Sequence, residues 1–481
     1  MSSKPHGRIS LVPQRSRVKG WLLVVLALLL AVVGSVSYVG WRQSVPAVRV
    51  TVNAPRFLGH KTPLTVVLEA ARGNVTRAEV RVVQGGAPVV VVKRETPAGE
   101  RLELPVTVES ATLGLKEGPA VLEVWARDDF WRPLRLGDRA LLSAPVTVDL
   151  TPPKIEVLAA TRYVSPGGVS LVAFRLGDAP RADVRVGTRV FPSFPYGPAD
   201  RGARVALLAL PYDYAAGTPM TITAQDEAGN TATRGIPGEL KPRAFPRDII
   251  KVTDAFLQAK VPELLPQYPP GKPLVEGFLV INRDQRKQAE QEKVKVGGTT
   301  APAPLWDGPF VQPRNTKVFS NFAETRTYVY DGREIDTQVH YGYDLASTKQ
   351  SPVPAANSGV VAFTGPLTIY GNTVILDHGL GLQTLYAHLS SIDVKPGDKV
   401  TTGQALGRSG TTGLAVGDHV HFEVLVSGVS VTPLEWWDAK WIRDRVNEPL
   451  KKAGLPEIAG VGAVPDDDAT PARPARRRRA R

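Results

Sequence analysis

The sequence predicts a mainly β protein: an apolar N-terminal helix, two β-sandwich modules, a short helical linker and a C-terminal antiparallel β domain. Three observations predict it. Gly20 to Gly40 form one uncharged apolar run. From residue 46 to about 240, short alternating stretches recur between turn residues, and the abundance of Gly (44) and Pro (42) favours strands and turns over long helices. Five of the seven histidines crowd between 340 and 421, in a second region of alternating pattern. At roughly 100–200 residues per domain, the 481-residue chain accommodates about three folded units.

The apolar run comes first. At 1.5 Å per residue it spans about 30 Å, the thickness of a bilayer core. Trp21 and Trp41 stand at its edges, where interfacial aromatics belong. Residues 1–19 hold Lys4, Arg8, Arg15, Arg17 and Lys19 and no acid, so they read as a cytoplasmic tail. Residues 20–41 then read as a single-pass anchor in the inner membrane, with the bulk of the chain extracytoplasmic. The competing reading is a cleaved signal peptide, for which Ser35-Val36-Ser37 is a weak cleavage candidate.

The net charge is +13, but much of the excess sits at the ends, in the first tail and in six Arg against three Asp over 461–481. A nucleic-acid binder would carry its basic face on a folded domain, so no nucleic acid is expected. The chain has no cysteine, which excludes disulfides and thiolate metal sites; any metal must be held by His, Asp or Glu.

Residues 46–150 and 151–240 are the two β modules. Val48-Arg49-Val50-Thr51-Val52, Val121-Leu122-Glu123-Val124-Trp125 and Pro145-Val146-Thr147-Val148 alternate as half-buried strands do. Thr151-Pro152-Pro153 makes a stiff junction, and Ala224-Gln225-Asp226-Glu227-Ala228-Gly229-Asn230 closes the second module. These features resemble tandem immunoglobulin-like modules of bacterial surface proteins. His60, the only histidine here, reads as an ordinary loop residue. The modules read as a spacer, with cell-envelope protein partners as the competing role.

Residues 241–304 form the helical linker. A helix is expected over 246–265, with Pro246 in its first turn and Ile249, Ile250, Val252, Phe256 and Leu257 as its apolar stripe. A second is expected near 281–293, then a Gly/Pro-rich connection over 297–304. The terminal domain is expected over 305–445. Residues 446–481 are expected to be a disordered basic tail, whose run Arg476–Arg479 reads as solvated.

The chemistry sits in three stretches: His340-Tyr341-Gly342-Tyr343-Asp344, Tyr386-Ala387-His388-Leu389 and Asp418-His419-Val420-His421-Phe422-Glu423. His419 and His421 alternate with apolar residues and share one strand face. A straight strand would hold His340 and Asp344 about 13 Å apart. The chain must therefore curl between them, and Gly342 supplies permissive backbone. Three ligands, His340, Asp344 and His421, would leave a fourth tetrahedral position open, as catalytic zinc requires.

The order H-x-G-x-D, Y-A-H-L and H-x-H-F-E resembles the lysostaphin-type (LytM-like) zinc endopeptidases of peptidoglycan. Tyr370-Gly371-Asn372-Thr373-Val374, Asp377-His378-Gly379, Lys395-Pro396-Gly397-Asp398 and Gly410-Thr411-Thr412-Gly413 match as well, and the likeness covers roughly 315–440. It implies an antiparallel β domain of the duplicated hybrid motif kind, with a groove over one sheet and Zn2+ on its floor. It implies His340, Asp344 and His421 as metal ligands and His388 and His419 as the catalytic pair, one deprotonating water and the other steadying the oxyanion or protonating the leaving amine. The implied substrate is the stem-peptide cross-link of peptidoglycan. His378 reads as structural and Glu423 as scaffold. Asp418 stands where the family often has Pro, and Ser320-Asn321-Phe322 replaces its usual opening. Two other readings compete: a non-catalytic peptidoglycan-binding activator of another wall hydrolase, and an adhesion protein working through its β modules.

Overall fold

The computed structural model describes residues 17–461 apart from 96–98, 135–138, 200–201, 314–315 and 347. Residues 1–16 of the expected N-terminal tail and 462–481 of the C-terminal tail, with Arg476–Arg479, lie outside the described residues. The chain is mainly β, with an apolar N-terminal helix and a β domain at its C-terminal end. That helix runs unbroken over Arg17–Ser44, and its Gly20–Ser44 part is long and apolar enough to cross a membrane. Most of its leucines and valines from Leu22 to Val36 are exposed.

The chain divides into two compact units. One runs to Thr151 and includes Glu227–Asn230; the other holds the rest. In the first unit, a three-stranded sheet orders Arg49–Val52, Thr62–Glu69 and Arg101–Val108. A five-stranded sheet orders Phe57–Leu58, Leu142–Val148, Gly118–Asp128, Val75–Gln84 and Ala87–Arg94. Alternate residues such as Leu64, Val66, Leu68, Val80, Val82, Leu122 and Val124 form its core. His60 is exposed, and its backbone carbonyl accepts from Ser110 N.

In the second unit, two four-stranded sheets over residues 155–235 share one apolar core with the C-terminal domain. Phe174, Val205 and Leu208 belong to the same cluster as Phe422, Val424 and Trp436. The second β module is therefore built into the C-terminal domain, where the sequence suggested a separate spacer. An apolar strand face on each partner is the physical reason: burying both together removes both from water.

The linker differs from expectation. Arg247–Lys251 is a strand, parallel to Glu324–Tyr330, and the helix begins only at Asp254, where the Thr253 hydroxyl accepts from Phe256 N. The β-branched pair Ile249-Ile250 suits the strand. A second helical stretch runs through Leu274–Val280, a π turn at Ile281–Gln285, and Arg286–Gly297. The connection after it is docked: Thr300 Oγ1 and Ala301 N donate to the Asp377 carboxylate at 2.6 and 2.7 Å. At the other end, residues 446–461 pack against the unit where a disordered tail was expected. The helix Glu448–Lys452 buries Leu450, and Leu455 and Ile458 follow it inward.

The principal sheet orders Lys317–Ser320, Tyr343–Ala346, Val420–Val426, Leu382–Ala387, Asn372–Gly379, Gly359–Pro366 and Lys399–Val400, with Val429–Val431 beside Val420–Val426. Strand alternation gives it two faces. Phe422, Val424 and Tyr386 enter the shared core. Leu425, Leu385, Ala387 and Ile375 meet Leu257, Val261, Phe278 and Ala289 of the helices. His421 and Glu423 share the parity of Leu425, so they lie on the helix-covered face.

Candidate metal centre

Asp344 and His421 are direct cross-strand partners in the principal sheet. His340 arrives from a different sheet, at the end of Arg333–His340. The chain does curl at Tyr341-Gly342, but Gly342 is not in the left-handed region among the described residues. What it supplies is room: a Cβ there would meet Phe422 O at 2.4 Å and the His421 ring at 2.8 Å.

His340 Nε2, Asp344 Oδ1 and His421 Nδ1 form a triangle with sides of 3.0, 2.9 and 2.9 Å. The remaining atoms decide the tautomers. His340 Nδ1 lies 2.9 Å from the Asn321 carbonyl, which can only accept, so Nδ1 carries the proton and Nε2 is bare. His421 Nε2 donates to Glu423 Oε1 at 2.9 Å, leaving Nδ1 bare. With both imidazoles neutral, three lone-pair donors thus converge on one point, an arrangement that a cation between them would satisfy. Two imidazoles and a carboxylate, all buried, suit zinc, and three ligands leave a position for water or substrate. The other Asp344 oxygen accepts from Arg326 at 2.9 Å.

The flanking histidines stand beside this triangle. His388 and His419 have ring centroids 4.8 Å apart, and His388 lies 5.8 Å from His421. His388 Nδ1 donates to Thr412 O at 2.8 Å and His419 Nδ1 to Gly417 O at 2.7 Å, while His419 Nε2 stands 3.5 Å from Asp344 Oδ1. His388 holds a left-handed backbone, φ 59°, costing on the order of 1–3 kcal/mol; its amide is held by Tyr370 O. Asp418, to which the sequence assigned no role, fastens the approach to His419 by accepting from Ser409 Oγ and Gln350 N.

Electrostatics follow the burial. Burial lowers His340 to about 4. Burial pushes Asp344 up, but the histidines around it outweigh that and hold it well below the ordinary range. For His421, burial opposes the charge while the Asp344 and Glu423 carboxylates outweigh it and raise the pKa. His388 falls well below the usual value through burial and then through its histidine neighbours, so its neutral form dominates.

The sequence profile of peptidase family M23 matches residues 338–433. Residues 338–433 are an M23 peptidase domain. Within the M23 domain lie all five residues singled out from the sequence. The chain is 39% identical over 97 residues to the DD-carboxypeptidase/endopeptidase Mpg of Neisseria meningitidis, covering 20% of this chain and 22% of that one. It is 38% identical over 119 residues to the peptidoglycan DD-endopeptidase ShyA of Vibrio cholerae, covering 25% and 27%. It thus spans about a quarter of the length of these relatives. The catalytic domain of lysostaphin from Staphylococcus simulans is 30% identical, with 26% of this chain and 92% of that one covered, at a TM-score of 0.22.

His378 of the M23 domain is held by Ser358 O and Thr384 Oγ1, both at 2.7 Å, away from the metal triangle. Sequence reasoning missed Arg326, Tyr370, Lys293 and the Asn321 carbonyl. Tyr370 lay inside a quoted motif and Asn321 inside the quoted Ser320-Asn321-Phe322; Arg326 and Lys293 carry no local signal.

Proposed function

We propose that this chain is a membrane-anchored zinc metalloendopeptidase that hydrolyses peptide cross-links of bacterial peptidoglycan outside the cytoplasm. The observation that carries this reading is the convergence of three ligand atoms, His340 Nε2, Asp344 Oδ1 and His421 Nδ1, with two further imidazoles, His388 and His419, beside them. The names of the relatives Mpg and ShyA support the D,D-peptide bond as the target.

His340, Asp344 and His421 would hold the metal. Bound zinc supplies Lewis acidity, polarising the scissile carbonyl and making water more acidic. The chain's own groups handle the protons. His388, kept neutral by burial, is suited to accept a proton from the attacking water at Nε2. His419, the most accessible of the five, is suited to steady the oxyanion or protonate the departing amine. Arg326 on Asp344 and the Asn321 carbonyl on His340 keep the two ligands aimed.

The remaining parts follow from the same reading. The exposed apolar helix Arg17–Ser44, with Trp21 and Trp41 near its ends, serves as an uncleaved anchor in the inner membrane. The sheets of residues 46–240 are immunoglobulin-like modules that offer surface to cell-envelope partners.

The test uses the full chain in detergent with cross-linked peptidoglycan fragments. Cleavage is expected with zinc, is lost on chelation and returns with zinc. A chain that binds the wall but leaves every cross-link intact, zinc-loaded, is instead the non-catalytic activator.

A further inference from the structure

The helix Arg286–Gly297 lies outside the M23 domain, yet one of its side chains reaches the far side of the metal triangle. Lys293 is fully buried, as is Glu423. Lys293 Nζ stands 2.8 Å from Glu290 Oε1, 2.9 Å from Glu423 Oε2 and 3.1 Å from both the Tyr370 hydroxyl and Ser430 Oγ. The hydroxyl protons are directed elsewhere: Tyr370 donates to Glu290 at 2.9 Å and Ser430 to Glu423 at 2.6 Å. Each hydroxyl keeps lone pairs for the ammonium, so every group in the network has a partner.

Glu423 connects this network to the metal ligands. Its Oε1 accepts the hydrogen bond from His421 Nε2–H, and that bond turns His421 Nδ1 toward Asp344 and His340. A carboxylate behind a ligand histidine fixes the tautomer and ring orientation and raises ligand basicity. A carboxylate without solvent exposure needs a counter-charge, since stripping an ion of water costs several kcal/mol. Lys293 is that counter-charge.

We propose that Lys293 is a positioning residue for the metal centre, acting through Glu423 on His421, so that a helix outside the M23 domain completes the surroundings of the ion. The inference rests on His340, Asp344 and His421 being the zinc ligands. The bland alternative is a clasp that only ties helix to sheet; it predicts lost stability with unchanged metal affinity in whatever folds.

Zinc affinity of the full chain, stripped of metal, is measured by competition with a chromophoric chelator, alongside the visible absorption of the cobalt form. Thermal unfolding of the metal-free protein reports folding. The variants are Lys293→Met, Glu423→Gln and the double substitution. Each single variant is expected to weaken zinc binding about 10–100-fold and to alter the cobalt spectrum. The double variant is expected to be no weaker than the weaker single, because both residues act by one route. Should Lys293→Met fail to fold, the double variant, which removes the fully buried Glu423 carboxylate together with the ammonium, decides: at least tenfold weaker binding supports the proposal. A folded Lys293→Met protein within tenfold of the unsubstituted chain overturns it, as do losses that multiply in the double variant or a double variant within tenfold when it alone folds. An unsubstituted chain that binds no zinc overturns the ligand assignment and this inference together; intact zinc binding unaffected by the variants overturns this inference alone.

Discussion

Glu435 makes the second unit's stability depend on pH in a calculable direction. It opens the last helical stretch behind the principal sheet, at Pro433–Trp437, and is nearly fully buried. One oxygen accepts from Arg243 at 3.0 Å and the other from Val169 N at 3.0 Å. Burial outweighs these favourable contacts and raises the carboxyl from 4.5 to about 7. The folded protein then binds the proton more tightly than the unfolded chain does. The stabilisation is full below about 4.5 and is lost as pH rises through about 7. At 1.36 kcal/mol per tenfold, the loss is at most about 3 kcal/mol. For a unit of this size that is several degrees in Tm. The perturbation is Glu435→Gln, which removes the titration while keeping the shape. Urea unfolding of the metal-free chain is compared for both proteins at pH 5 and pH 8. The advantage of the unsubstituted protein over the variant is expected to shrink between those values by up to about 3 kcal/mol. A difference that stays flat, or grows toward pH 8, refutes the reasoning.

Other consequences are open to measurement. Replacing His388 or His419 by Ala is expected to cut kcat by about 10²–10⁴ while calorimetry still detects zinc; unchanged turnover contradicts their assignment. His421→Ala removes a corner of the triangle and is expected to abolish both zinc binding and cleavage. Arg326→Met frees one Asp344 oxygen and is expected to weaken zinc about 10–100-fold, read by chelator competition. Trp436, fully buried against Trp306, Phe310 and Trp441, is expected to cost about 3–5 kcal/mol when changed to Ala, seen as a lowered unfolding midpoint.

Parts of this architecture are legible residue by residue. His419, Val420 and His421 announce a strand with a polar face because the side-chain period of a strand is two, and a strand is found at Val420–Val426, with His419 in a single bridge to Gly410 just before it. The apolar run announces a helix long enough to span a bilayer because length and the lack of charge are local properties. Other parts misled for the same reason. The apolar spacing of 246–265 fits a helix, yet Arg247–Lys251 finds a sheet edge at Glu324–Tyr330, and that pairing overrides the local pattern. Residues 446–461 lack a strong pattern, and the pocket that receives Leu450 and Ile458 is supplied by distant chain.

By itself, then, the sequence determined the kinds of groups that meet the ion, their order along the chain, the absence of thiolate chemistry and the apolar helix. Tertiary structure alone decided that Arg326 closes on Asp344, that Lys293 reaches Glu423 across 130 positions, and that the second β module shares a core with the M23 domain. The division has a physical cause. Hydropathy, side-chain period and ligand chemistry belong to single residues and near neighbours, so they can be read along the chain. The counter-charge of a buried carboxylate is chosen by whichever element packs over it, and that is settled only when helix and sheet bury their apolar faces together.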